Sequence, residues 1–196
     1  MITANDVHCY YWIDEIPAEI CDKIRQAGQK EEQHKAITFD NSVPSTDKKG
    51  RNSSVSWIED RWITGLAHTY ANIANNEVWH YELMKQQEFL PCQYTTYDKN
   101  GHYTWHQDIG DQKNFIKDVA CQRKISVVIQ LSDPSEYEGG DFEIKNVRDN
   151  LIELPPSIKN KGSVLVFPSY VVHRITPITS GTRNSLVAWY LGPPFV

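Results

Sequence analysis

RKISVVIQLSDPSEYEGGDFEI, residues 123–144, begins as a β-branched run, breaks at a Pro- and Gly-containing turn and resumes as a second short apolar run. Val and Ile are stiff at χ1 and pack well on a pleated surface, so the first run predicts a strand. In an extended chain alternate side chains share a face, which places Ser126, Val128 and Gln130 together. The intervening DPSEYEGGD is too short for a crossover helix, which favours a mostly antiparallel arrangement. Asp141, after Gly139 and Gly140, reads as part of that turn leading into a strand, not as a ligand.

The same pattern extends outward from residue 88. FLPCQYTTY, GSVLVFPS and RNSLVAWYLG are further short β-branched or aromatic runs, punctuated by DKNG, NKGS and TSGT. Closely spaced antiparallel strands predict a sandwich or a jelly-roll barrel. Upstream, VHCYYWID (7–14) reads as an early strand. In IPAEICDKIRQAGQ, Ile16, Ile20, Ile24 and Ala27 repeat at helical spacing, with Pro17 in the first turn and Gly28 as a stop. A second helix is expected from about Asp60, with Ile63, Leu66, Tyr70 and Ile73 on its buried face and Asn75 and Asn76 at its end. The polar segment 40–53 has no period and reads as a loop.

The 196 residues carry a formal charge of −5, with 40% hydrophobic and 23% charged residues. That balance argues against a general polyanion binder, which needs clustered Lys and Arg. No run approaches the length of a membrane span. The opening MITANDVHCYYW lacks the basic start and apolar run of a secretory signal. Cys9, Cys21, Cys92 and Cys121 form no C-x-x-C pair, so free thiols and a cytoplasmic location are expected. The expected partners exclude nucleic acid and membranes.

YTWHQD (103–108) raises the question of chemistry. His106 and Asp108 would project from one face of a strand. Such a pair often does no more than hydrogen-bond its neighbours. A metal site would need a second histidine. His8, His34, His68 and His80 fall in the early or helical part and His102 in a turn, which leaves His173, after the apolar run GSVLVFPSYVV. Arg183 follows ten residues later across the Gly-containing turn TPITSGTR. A hairpin there would aim its guanidinium into the same cavity, and a buried guanidinium requires an anion.

YDKNGHYTWHQD (97–108), RKISVVIQLSDPSEYEGGDFEI (123–144) and HRITPITSGTRNSLVAWYL (173–191) together resemble the Fe(II)/2-oxoglutarate-dependent dioxygenases, in their prolyl-4-hydroxylase-like branch that includes PKHD-type hydroxylases. The resemblance implies a mostly β fold with N-terminal helices, a double-stranded β-helix (jelly roll, cupin-like). It implies a single domain over 1–196, with residues 1–87 as helix-rich support and 88–196 as the catalytic core. His106, Asp108 and His173 would hold Fe(II). Arg183 would pair with the far carboxylate of 2-oxoglutarate, and dioxygen would be the other cosubstrate, with ascorbate as a further cofactor. No catalytic group beyond the metal ligands is implied.

Tyr97 and Tyr103 stand where relatives place tyrosines against the cosubstrate; either could equally be a core aromatic. Gln130 stands near a position where some relatives have a Tyr on the far carboxylate. Ser185 shares the face of Arg183, as does Trp189, which either packs in the barrel or borders the opening. The run from Lys113 to Lys124 is expected as a loop at the mouth, within a segment (109–122) that, like 40–53, raises the question of a lid.

The implied reaction is hydroxylation of a C–H bond, with 2-oxoglutarate decarboxylated to succinate. The expected substrate is a prolyl residue of a protein or peptide. The alternatives are an oxygenase acting on a free amino acid or other small molecule, and a non-catalytic jelly-roll binding module.

Overall fold

The computed structural model describes residues 7–40, 43–45, 49–109, 114–116 and 119–195. Two antiparallel sheets face one another. The larger orders its strands Tyr10–Trp12, Val164–Pro168, Val119–Gln130, Arg183–Gly192, Cys92–Tyr97, Ser54–Ile58 and His34–Lys35, with Asn114–Ile116 paired to the start of Val119–Gln130. The smaller runs Leu151–Ile152, Phe142–Lys145, His173–Ile175, His102–His106 and Arg51–Asn52. This is the double-stranded β-helix expected from the sequence.

Strand alternation divides the apolar residues between two cores. Ile125, Val127 and Ile129 point outward from the large sheet and pack with Val164, Val166, Leu186, Ala188 and Tyr190. Two helices cover that face: α1, Ala18–Lys30, and α2, Arg61–Ala74. Val128, Leu165 and Phe167 point the other way and meet Phe142, Ile144 and Ile175 of the small sheet. Ile24, Ile63, Ile125 and Ile129 are all fully buried, and each contributes roughly 1.5–3 kcal/mol of transfer free energy.

Residues before 88 do more than support this barrel from outside. Tyr10–Trp12, His34–Lys35 and Ser54–Ile58 extend the large sheet, and Arg51–Asn52 forms an edge of the small one. The segment 40–53 is therefore not simply a loop: Val43–Ser45 pairs with Thr38–Asp40, and Arg51 and Asn52 pair with Tyr103 and His102. Residues 41–42, 46–48, 110–113 and 117–118 lie outside the described residues, and the lid question falls on them in part. The run from Lys113 to Lys124 is not the expected loop where it is described, because Asn114–Ile116 pairs with Val119–Cys121 and that strand runs on through Lys124.

Two helix expectations are corrected. Gly28 does not stop α1, which continues to Lys30. It is a site of close approach, because a Cβ there would lie 2.3 Å from the Tyr94 ring. In α2 the buried face is Ile63, Ala67, Tyr70, Ala71 and Ala74, while Ile73 is 41% exposed. Small alanines let that helix lie close to the sheet. α2 itself ends where expected, with Asn75 as its C-cap, and the helical path continues as a π-turn over Asn75–Trp79 that stops at left-handed His80. The Asn75 side chain accepts from the Tyr81 amide and donates to its carbonyl, fixing the exit.

Candidate active site

His106, Asp108 and His173 converge at one end of the barrel, their ligating atoms all within 4.8 Å of one another. The route differs from the simple alternation expected. The strand ends at His106. Asp108 lies beyond it, fixed because the amides of Asp108 and Ile109 both donate to the Ser169 carbonyl, at 2.8 and 3.0 Å. Nor does His173 face back from the end of the apolar strand. That strand stops at Pro168, and His173 begins a new one in the opposite sheet, directly paired with His106.

Hydrogen bonding sets the donor atoms. Nδ1 of His106 lies 2.8 Å from the Thr104 carbonyl, and Nδ1 of His173 lies 2.9 Å from the Val171 carbonyl. A carbonyl only accepts, so each Nδ1 carries the proton and each Nε2 keeps its lone pair. Those two Nε2 atoms stand 3.5 and 3.7 Å from the Asp108 carboxylate oxygens. Burial holds the His173 pKa down to about 4, against an ordinary 6.5, with Asp108 opposing. At Asp108 burial raises the pKa, but His173 and His106 outweigh it and keep the carboxylate ionised. Ser126 Oγ donates to Asp108 Oδ2 at 2.8 Å and is itself 2.9 Å from Ser169 Oγ. Two neutral imidazole nitrogens and one carboxylate, each oriented from behind, suit a divalent first-row metal such as Fe(II).

Arg183 enters the same cavity from the large sheet. No hairpin beside His173 brings it there: Ile178–Gly181 pairs with Tyr137–Gly139, and the chain then crosses to the opposite sheet. Arg183 is 1% exposed. Its Nη2 donates to Gln130 Oε1 at 2.8 Å, and its Nε and Nη1 have no hydrogen-bond partner. Among the described residues no carboxylate pairs with it. A guanidinium in that condition is a receptor for an anion.

The remaining predicted residues divide. Tyr97, Tyr103 and Ser185 line the cavity. The Tyr97 ring centroid is 5.6 Å from the Arg183 guanidinium carbon. Tyr103 stacks on the His106 ring with centroids 3.4 Å apart. Gln130 is not part of the lining; it acts on Arg183, its carbonyl oxygen holding one guanidinium nitrogen. Trp189 lines the cavity with a buried, unpartnered indole N–H. Asp141 behaves as the turn reading expected, paired with Lys159 at 2.9 Å.

Arg51 was not anticipated. Its guanidinium carbon sits 4.6 Å from the centroid of the Tyr103 ring and it lines the cavity. The signal available was the β-like run SSVSWI just after it, which makes a strand edge nearby plausible.

The profile of the 2OG-Fe(II) oxygenase superfamily matches residues 92–191, just over half of the chain. The chain belongs to this superfamily. Its members use Fe(II), 2-oxoglutarate and dioxygen, and the matched region holds the histidine–aspartate cluster, Arg183 and Gln130. A PKHD-type hydroxylase of Stenotrophomonas maltophilia is 31% identical over 103 residues, 52% of this chain and 43% of that protein. The chain thus spans under half the length of that curated relative. Among solved structures, a Pseudomonas putida prolyl-4-hydroxylase superposes with a TM-score of 0.64 at 19% identity, covering 96% of both chains. A Trichoplax adhaerens prolyl hydroxylase, solved with a hypoxia-inducible-factor peptide, gives 0.72 at 14% identity, covering 96% of this chain and 87% of that one. At such identities these structures speak for the fold.

Proposed function

We propose that this 2OG-Fe(II) oxygenase hydroxylates a prolyl residue of a protein or peptide. Arg183 carries the reading of the site. A buried guanidinium with two unpartnered nitrogens, across the barrel from two imidazoles and a carboxylate, suits a dianion with one end on a metal and the other in the hollow. The prolyl assignment is supported by the names of the relatives, PKHD-type and prolyl hydroxylases.

In this reading His106, Asp108 and His173 hold Fe(II), and Arg183, positioned by Gln130, takes the far carboxylate of 2-oxoglutarate. Tyr97 and Ser185 flank that carboxylate. Bound there, iron with 2-oxoglutarate and dioxygen inserts one oxygen atom into a substrate C–H bond; the other leaves in succinate, with carbon dioxide released. The chain's own work is positional. The carbonyls of Thr104 and Val171 keep the Nε2 lone pairs inward, Ser126 keeps the carboxylate turned to the metal, and Val128, Phe142 and Ile175 line the cavity with apolar surface that excludes water.

The test is incubation with Fe(II), 2-oxoglutarate and a proline-containing peptide library, read as a gain of one oxygen mass matched by succinate. Oxidation located on proline supports the assignment. Succinate formed only with free amino acids or non-proline peptides would overturn it.

A further inference from the structure

Two more guanidiniums stand at this site, and the cosubstrate does not account for them. Arg51, 9% exposed, lies over the Tyr103 ring and gives its Nε to Ser53 Oγ at 2.9 Å. Arg123 lies over the Trp189 ring, 4.1 Å from its centroid, and donates through Nη1 to the Asp108 carbonyl at 3.2 Å. Tyr103 and Trp189 both line the cavity, so the two arginines flank it from opposite sheets. Burial lowers the Arg123 pKa, Asp108 opposes it, and Arg51 is near enough to lower it further. Among the described residues neither forms an ion pair with a carboxylate.

Charge counting makes this consequential. Fe(II) and 2-oxoglutarate cancel, which leaves the single carboxylate of Asp108, whose charge acts on Arg123, against three guanidiniums. Among the described residues the cavity therefore keeps a net positive charge in partly dry surroundings, where like charges repel at a cost. Beside them Trp57, 45% exposed, lies with its ring 6.3 Å from that of Trp189, giving the rim an aromatic ledge. A ledge of rings next to paired guanidiniums suits an apolar ring that carries an acid close by.

We propose that Arg51 and Arg123 select a substrate bearing a carboxylate next to the carbon that is oxidised. The proposal rests on the reading of the metal and 2-oxoglutarate site above and not on the prolyl-peptide assignment. The carboxylate could belong to an Asp or Glu adjacent to proline in a peptide, or to the α-carboxyl of a free amino acid.

Calorimetry on anaerobic protein loaded with Fe(II) and 2-oxoglutarate tests it without turnover. The probes are blocked peptides with proline beside Asp or beside Asn, together with free proline and prolinamide. The acid member of at least one pair is expected to bind about tenfold or more tighter than its amide, the size of one charge-assisted contact; which pair responds identifies the source of the acid. Arg123→Gln and, separately, Arg51→Gln are expected to collapse that acid-to-amide ratio toward one, and Arg123→Lys to restore part of it. The ratio is the readout because a general folding defect weakens both members alike. Equal binding of acid and amide, no binding by either acid, or a ratio unchanged in both Gln variants overturns the proposal. Loss of 2-oxoglutarate binding by the wild-type protein would instead overturn the reading of the site on which it stands.

Discussion

His106 and His173 are register partners on neighbouring antiparallel strands, with ring centroids 4.1 Å apart, and each donates its Nδ1 proton to the carbonyl two residues earlier. Backbone carbonyls, Thr104 within the strand and Val171 in the bend before the other, thus fix both tautomers, and both Nε2 atoms reach the same carboxylate. Asp108→Ala or His173→Ala leaves a two-ligand site. Either is expected to lower Fe(II) affinity and succinate formation by more than about 100-fold, since even residues that only orient ligands are worth 10–100-fold. Metal content after anaerobic loading and desalting checks this, and retention of iron by either variant would contradict the ligand assignment.

Ser126 touches no proposed metal position, yet it donates to Asp108 from the strand beneath. Ser126→Ala removes that bond and is expected to weaken Fe(II) binding by roughly 10-fold or more. Thermal stability in the metal-free state should change far less. An unaltered iron affinity would show that the strand–turn backbone alone orients the carboxylate.

The metal-free protein should lose stability as pH falls below neutrality. Burial keeps His173 neutral, with a pKa of about 4 against 6.5 when unfolded. The unfolded chain therefore binds a proton that the folded chain refuses across that window, and stability is full above pH 6.5 and lost progressively toward pH 4. His173 alone accounts for about 3 kcal/mol of this. The depressed Asp108 acts in the same direction at still lower pH. Denaturant midpoints measured from pH 7.5 to 4 should fall in the wild type, and less steeply in His173→Gln; parallel profiles would refute the assignment.

Gly28 offers a test of the fold itself. Replacing an exposed helical Gly by Ala normally stabilises by about 1 kcal/mol. Here the added methyl meets the fully buried ring of Tyr94, so Gly28→Ala is expected to destabilise by about 1–3 kcal/mol. A raised melting temperature would mean that α1 does not lie against the sheet as described.

Much of this was legible in the chain because period-two alternation survives in long strands. Ser126, Val128 and Gln130 share a face, and so do Arg183 and Ser185, because Val119–Gln130 and Arg183–Gly192 are central strands whose other face must bury aliphatic residues against helices. Where alternation ends, the sequence carries no trace of the path. Asp108 reaches its place through two backbone bonds to Ser169, and His173 through a change of sheet, neither of which leaves a periodic trace. Arg51 sits on a two-residue edge strand within a polar segment, too short to show any period at all. Gly28 carries two meanings in sequence, helix stop and close approach, and only the position of Tyr94 separates them.

The central claim is that the histidine–aspartate cluster and Arg183 form one site for a chelating dicarboxylate. Anaerobic titration of the Fe(II)-loaded protein with 2-oxoglutarate, followed in the visible, tests it most directly. The wild type should develop the weak charge-transfer band of a chelated oxo acid and saturate at one equivalent. Arg183→Ala should retain iron but require about 100-fold more 2-oxoglutarate, the cost of a lost charge-assisted pair. A colourless wild-type mixture at saturation, or an Arg183→Ala titration that overlays the wild type, would contradict the account.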